Sequence, residues 1–282
     1  LASTWTADSL YASTPAEDWP FAVGSCGWGL AVLDLDNDTD EDLLVAGVAS
    51  STRPLINEEG RLSPADTVRF DGGLFPAGNG LTVGDFDADG RPDVVLVRST
   101  GLADLVFFNR GNGEFVSTEL DVSMGESQHA TAFDADGDGD LDLFISRHLD
   151  FMETDLVALE AGVLRGDGNQ LYRNEGGTFS LAPPDPTTDA ASFQAVPMDP
   201  DGDGDLDLYL VNDFGPLIKP NSLLKNDGMG GFSPDSDCGC DLAIFGMGAT
   251  SAARRGGDEI RAGLQPSCML RGAIARTLPP GR

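Results

Sequence analysis

Asp134-Ala135-Asp136-Gly137-Asp138-Gly139-Asp140-Leu141-Asp142 is the stretch whose reading decides the fold, and it runs straight into Leu143-Phe144-Ile145. Aspartates at positions 1, 3, 5 and 9 of this ladder can turn their oxygens toward one point. Alternate residues of a tight loop share a side, and three more residues bring the chain back to supply a fourth carboxylate. Four carboxylates meeting at one point repel strongly unless a cation lies among them. The side-chain donors are all hard oxygens, with no imidazole or thiolate, which favours calcium over zinc or copper. The spacing recurs as Asp34, Asp36, Asp38 and Asp42, as Asp85, Asp87, Asp89 and Asp93, and as Asp199, Asp201, Asp203 and Asp207. The chain therefore reads as a repeat protein, with about four Ca2+ ions as its expected cofactors.

Working outward, each ladder lies between two strand-like segments. Small residues precede it, as in Gly27-Trp28-Gly29-Leu30-Ala31-Val32 and Gly78-Asn79-Gly80-Leu81-Thr82-Val83. A β-favouring run follows it, as in Leu43-Leu44-Val45, Val94-Val95-Leu96-Val97 and Leu208-Tyr209-Leu210. A third signature comes next: Asn57 with Gly60, Asn109 with Gly111, Asn174 with Gly176, and Asn226 with Gly228. An aromatic closes it at Phe115, Phe179 and Phe232, with Leu62 in the first copy. Asn followed by Gly marks a hairpin turn, so each unit holds two hairpins. Four short strands per unit are the composition of a propeller blade, and the predicted fold is an all-β propeller of four-stranded blades. One long spacing, between the third and fourth ladders, contains an apolar pattern from Leu149 to Leu164 that predicts a short helix.

The EF-hand loop shares the early aspartate spacing but needs a bidentate Glu at its twelfth position and flanking helices. Here that position holds Val45, Leu96, Ile145 and Leu210, each in a β-type run, so the EF-hand is excluded. Taken together, the ladder after a small-residue strand and the later Leu171-Tyr172-Arg173-Asn174 phrase resemble the FG-GAP/VCBS repeats of integrin-α-type β-propellers. Asn212-Asp213-Phe214-Gly215 and Gly246-Met247-Gly248 are similar to the cartilage-acidic-protein branch and its bacterial relatives. The resemblance spans residues 27–252. It implies a calcium-bound, extracellular propeller that binds protein or carbohydrate ligands. It also implies that ladder positions 1, 3, 5 and 9 bind through side chains and position 7 through its carbonyl. The position 7 residues are Asp40, Arg91, Asp140 and Asp205. Thr39 stands where the other ladders have Gly90, Gly139 and Gly204. If that position needs a positive φ, the first site is the most strained or the weakest.

With 47 acidic against 17 basic residues the formal charge is −30, which argues against nucleic acid or an anionic membrane surface as partner. Hydrophobic residues at 40% supply a core, so the acidity does not indicate disorder. Four divalent ions would bring the charge to about −22. No apolar run approaches a membrane span. Cys26, Cys238, Cys240 and Cys268 are too few for a disulfide scaffold. Cys238-Gly239-Cys240 reads as half of a metal or redox pair, as free extracellular thiols, or as one local disulfide. The expected location is extracellular, at the cell surface or in the periplasm, where free calcium is high.

The expected organisation is a leader over residues 1–26, blades over 27–252 and a basic tail over 253–282. Aligned on Gly248, a fifth ladder would need aspartates at Ala253, Arg255, Gly257 and Arg261, and none is there. The tail offers no β-type run and reads as a frameshifted coding end or a degenerate blade. With units averaging roughly 55 residues, the chain holds about five blades of a larger ring. Catalysis is not expected. The abundant carboxylates are accounted for by metal binding, no nucleophile elbow or phosphate loop occurs, and His129 and His148 read as structural. Trp5, Trp19 and Trp28 are candidate sugar-stacking residues, with blade packing the plainer reading of Trp28. A binding or adhesion module for protein or glycan ligands is the leading expectation. A structural scaffold for a further domain and a polysaccharide-acting enzyme are the alternatives.

Overall fold

The computed structural model describes residues 29–47, 51–65, 67–71, 73–98, 101–122, 125–149, 166, 168–183, 189–254 and 257–263. Every regular element among them is a strand. The first sheet runs β1 (Leu30–Leu33), β2 (Asp42–Val45), β3 (Arg53–Glu58), β4 (Arg61–Pro64), with each neighbour antiparallel. A two-residue strand, β5 (Arg69–Phe70), then joins the next sheet at its outer edge. That sheet continues as β6 (Gly80–Gly84), β7 (Asp93–Val97), β8 (Ala103–Gly111) and β9 (Glu114–Val122), and β5 lies parallel to β9. The third sheet holds β10 (Glu126–Phe133), β11 (Asp142–His148), β12 (Gln170–Glu175) and β13 (Thr178–Leu181). The fourth holds β14 (Ala191–Met198), β15 (Asp207–Asp213), β16 (Ser222–Asn226) and β17 (Phe232–Pro234). A last hairpin pairs β18 (Gly248–Arg254) with β19 (Gly257–Gly263). These are the four-stranded antiparallel blades of an incomplete β-propeller.

The first strands of successive sheets are tied together by side chains. Thr82 Oγ1 of β6 donates to Ala130 O of β10 at 2.6 Å, and Thr131 Oγ1 of β10 donates to Ala195 O of β14 at 2.8 Å. Ser251 of β18 donates to Pro197 O of β14 at 3.3 Å, so the hairpin occupies the place of a fifth blade's inner strands. Apolar side chains fill the gaps between sheets rather than one central core. Leu44, Val94, Leu96 and Phe107 lie between the first and second sheets. Val95, Val106, Leu143 and Ile145 lie between the second and third, and Phe144, Leu208 and Leu210 between the third and fourth.

Burial explains the sequence pattern. Strands β7, β11 and β15 have neighbours on both faces and are buried at every residue, so they read as unbroken apolar runs. In the first sheet β1 and β2 alternate, because among the described residues only one of its faces is covered. Leu30 and Val32 on the other face are 58% and 47% exposed.

Three features differ from the sequence expectation or add to it. The tail offers no strand-favouring run, yet β19 pairs with β18 along its whole length. Backbone hydrogen bonding to a docked partner needs no β-branched residues, so tertiary context overrides propensity. Strand β5 has no signal in the sequence, and Phe70 is held there by Phe115, stacked at 4.8 Å. Cys238 and Cys240 form a disulfide with each other, which selects the local pairing among the three readings of that motif. The expected helix lies, beyond Leu149, outside the described residues. So do residues 1–26, Trp5, Trp19, Trp28, Cys26, Cys268 and residues 264–282.

Candidate metal centres

Each ladder is the turn joining the first two strands of a sheet. The pairs that close it are Leu33 with Asp42, Gly84 with Asp93, Phe133 with Asp142 and Met198 with Asp207. The last aspartate of each ladder is therefore built into the second strand and is almost wholly buried. Its Oδ1 accepts the backbone N–H of the signature asparagine on the third strand: Asn57 at 2.7 Å, Asn109 at 2.8 Å, Asn174 at 2.8 Å and Asn226 at 2.9 Å. In the first three ladders its Oδ2 accepts the N–H of the second ladder residue, Leu35, Phe86 or Ala135. The fourth ladder has Pro200 at that place. Proline has no N–H to give, and Asp207 Oδ2 is buried without a partner. Burial raises the pKa of this group, to about 6 for Asp93 and upward for Asp142 and Asp207, with the asparagine N–H opposing it in each.

The first aspartate organises the loop. Asp34 accepts N–H groups from Asn37, Asp38 and Thr39, and Asp85, Asp134 and Asp199 do the same work in their ladders. The aspartates at position 5, Asp38, Asp89, Asp138 and Asp203, accept the N–H of the residue at position 7: Asp40, Arg91, Asp140 and Asp205. Such tight winding requires a left-handed backbone at position 6, where φ is 80° at Thr39, 84° at Gly90, 97° at Gly139 and 97° at Gly204. Thr39 is thus strained, as its sequence position suggested. Position 4 is left-handed too, at Asn37, Ala88, Gly137 and Gly202, which the sequence did not signal.

Carboxylate oxygens of Asp34, Asp36 and Asp42 lie within 4.8 Å of one another, as do those of Asp85, Asp87 and Asp93, and of Asp134, Asp136 and Asp142. In the fourth ladder the convergent set is Asp199, Asp201 and Asp203. The structure thus brings together positions 1, 3 and 9 in three ladders and positions 1, 3 and 5 in the other. One oxygen in each of the first three clusters has no hydrogen-bond partner although it is buried: Oδ1 of Asp36, Asp87 and Asp136. A buried, unpartnered carboxylate oxygen is costly unless something positive meets it. Burial and the neighbouring Asp38 and Asp42 charges push the Asp36 pKa up, which is the same crowding seen electrostatically. These donor sets fit a hard divalent cation, and the clusters could hold metal ions.

Sequence reading missed two sets of residues at these centres. The signature asparagine is a strand residue that clamps the ladder, and its side chain accepts from the turn glycine, as Asn57 does from Gly60 at 2.9 Å. The signal was its recurrence with a turn glycine after every ladder, at 15 to 32 residues from the last aspartate. Basic residues also reach the aspartates at position 3: Arg110 to Asp87, Arg173 to Asp136, and Lys225 to Asp201. Elsewhere, Cys238, Cys240 and Asp241 lie together, but the sulfurs are bonded to each other and offer no thiolate. His129 lines an open cleft of about 390 Å³ with Thr82, Thr131 and Gln194, and burial lowers its pKa to about 4. His148 is buried with Nε2 3.5 Å from Asp213 Oδ2, packed on Phe193 and Phe214.

A family model described as an FG-GAP-like repeat matches residues 34–96 and 85–145. Each match begins on the first aspartate of a ladder and runs through the next one, ending in its second strand. No curated protein matches the chain. The integrin-like and acidic-protein branch rests on the sequence resemblance alone. Its two FG-GAP-like repeats and its all-β architecture of four-stranded sheets fit the chain to the FG-GAP β-propeller type of protein.

Proposed function

We propose that this chain is a calcium-stabilised, extracellular β-propeller that acts as a binding or adhesion module for protein or carbohydrate ligands. FG-GAP repeats suggest a propeller module of a kind often involved in binding. The observation that carries the calcium reading is the buried, unpartnered Oδ1 of Asp36, Asp87 and Asp136, each within a carboxylate cluster. Side chains at positions 1, 3, 5 and 9 would hold the ion, with carbonyls at position 7 from Asp40, Arg91, Asp140 and Asp205 completing the set. A bound calcium would supply charge neutralisation and a rigid turn, not reaction chemistry. The chain's own residues already wind the loop, through the N–H groups gathered by the first aspartate. An adhesive role is what the FG-GAP-like repeats suggest.

Calcium titration by calorimetry tests the metal reading. Asp136→Ala is expected to remove one binding event and leave the others, and an unchanged count would reject the assignment. For the ligand, a glycan array and a pull-down with the full chain are decisive: a reproducible ligand supports the module, none favours a scaffold, and polysaccharide turnover would turn the reading toward an enzyme.

A further inference from the structure

Three ladders carry a basic side chain on the aspartate at position 3, delivered from the third strand of the same sheet. Arg110 Nη1 lies 2.7 Å from Asp87 Oδ2, and Lys225 Nζ lies 3.0 Å from Asp201 Oδ2. Arg173 Nη1 lies 3.0 Å from Asp136 Oδ2 and 3.3 Å from Asp142 Oδ2. In the second and third ladders the cation takes Oδ2, while Oδ1 of the same aspartate is the buried oxygen without a partner. Ladder one differs. The residues flanking Asn57 are Ile56, which is buried, and Glu58, which is exposed. Among the described residues no basic side chain pairs with Asp34, Asp36, Asp38 or Asp42.

A cation beside the cluster has two effects of the same sign on ion affinity. It repels an incoming divalent ion, and it relieves carboxylate repulsion when the ion is absent. Holding the aspartate in a fixed rotamer works the other way, but losing one rotamer's freedom is a smaller effect than a full charge facing two. We propose that Arg110, Arg173 and Lys225 are resident counter-cations that grade the four ladders. They lower the divalent-ion affinity of ladders two to four and hold those loops when no ion is bound. Ladder one then takes its ion most tightly and depends on it most. This rests on the reading that the ladders hold calcium.

The grading follows exposure. Arg173 is 20% exposed and touches two carboxylates, one of them the 1% exposed Asp142. Arg110 is 43% exposed against an Asp87 at 14%. Lys225 and Asp201 are 43% and 41% exposed, so water screens that pair most. Ladder two also holds a second arginine, Arg91 on Asp89, so ladders two and three are weakened more than ladder four. Strain at Thr39 does not reverse the order, because Asp34 Oδ2 already holds the Thr39 N–H at 3.0 Å without an ion, so the strain belongs to folding the loop.

Calorimetric titration of the full, chelator-treated chain with calcium chloride tests the proposal. Asp36→Asn is expected to abolish the tightest site, and Glu58→Arg to weaken it. Arg110→Gln and Arg173→Gln should each tighten one weaker site by about tenfold. Arg173 also donates to Met229 O in the next sheet at 3.0 Å, so its loss disturbs a seam, whereas Glu58→Arg at an exposed position tests the charge effect without that complication. In EDTA, hydrogen exchange should open residues 34–42 before 134–142. Unchanged or weaker sites in both arginine variants, or a tightest site that survives Asp36→Asn, would overturn the grading alone. No calcium binding by the parent chain would overturn the metal reading and the grading with it.

Discussion

Pro200 is one residue whose missing N–H leaves a buried carboxylate oxygen unpartnered. In its three siblings the same place donates an N–H to the buried ladder aspartate, and in the fourth ladder Asp207 Oδ2 goes without. Pro200→Ala should therefore stabilise the chelated protein by about 1 kcal/mol, the recovered hydrogen bond outweighing the lost proline rigidity. Urea denaturation in EDTA measures it, and a midpoint that falls would refute the account. Thr39 makes the mirror case, a side chain at φ 80° where the other ladders have glycine. Thr39→Gly is expected to stabilise by about 1 kcal/mol, because the left-handed backbone costs threonine and not glycine. A shift of the urea midpoint in the other direction would show that the threonine has a partner outside the loop.

At the scale of the strand, the third strand of each sheet carries the clamp. Asn174 Nδ2 donates to Leu141 O in its own ladder at 3.0 Å and to Phe86 O in the preceding sheet at 2.8 Å. Asn226 repeats this with Leu206 and Ala135. Among the described residues Asn57 Nδ2 reaches only Glu41 O in its own ladder. Asn174→Ala should thus cost about 2–4 kcal/mol and Asn57→Ala roughly half as much, since the former strands two buried acceptors. Equal losses on calorimetric melting would mean the bridge between sheets carries nothing. Two titrating groups at these seams oppose each other. Burial lowers the His129 pKa from 6.5 to about 4, so its neutral form is favoured and stability is lost as pH falls from 6.5 through 4. Burial raises the Asp104 pKa from 3.8 to about 6, so the cost of its charge grows as pH rises from 3.8 through 6. Acid therefore removes stability at one group while restoring it at the other. His129→Gln should remove the histidine contribution and leave the carboxylate trends, so that relative to the parent the variant gains on the order of 2 kcal/mol between pH 7 and pH 4.5. Parallel stability curves for the two proteins would sink the assignment.

Across the whole molecule the balance is between apolar slabs and like charge. The slabs lie between sheets, so each sheet is stabilised by its neighbours and the chain behaves as an array of repeats. Against this stands a formal charge of −30, concentrated in four loops. Removing calcium with EDTA should lower the melting temperature, and added sodium chloride should recover part of that loss by screening the carboxylates. Identical melts with and without EDTA would argue that the loops stand without ions. The exposed face of the first sheet carries Leu30 and Val32, where the alternating pattern meets solvent.

Much of this was written locally. Ladders, strands and hairpins repeat within short spans of chain, and local spacing alone sets where a strand can follow a turn. That is why the four units and their four-stranded sheets were legible from residues such as Asp134–Asp142 and the run after them. Which three of the four aspartates named in each ladder lie together was not. That depends on the third strand, which returns an asparagine N–H and a basic side chain to the ladder across 15 or more residues. A carboxylate's partners are chosen by what the folded sheets bring beside it, so the clamp of Asn174, the cations Arg110, Arg173 and Lys225, and the strand pairing of β18 with β19 were decided only by the tertiary structure.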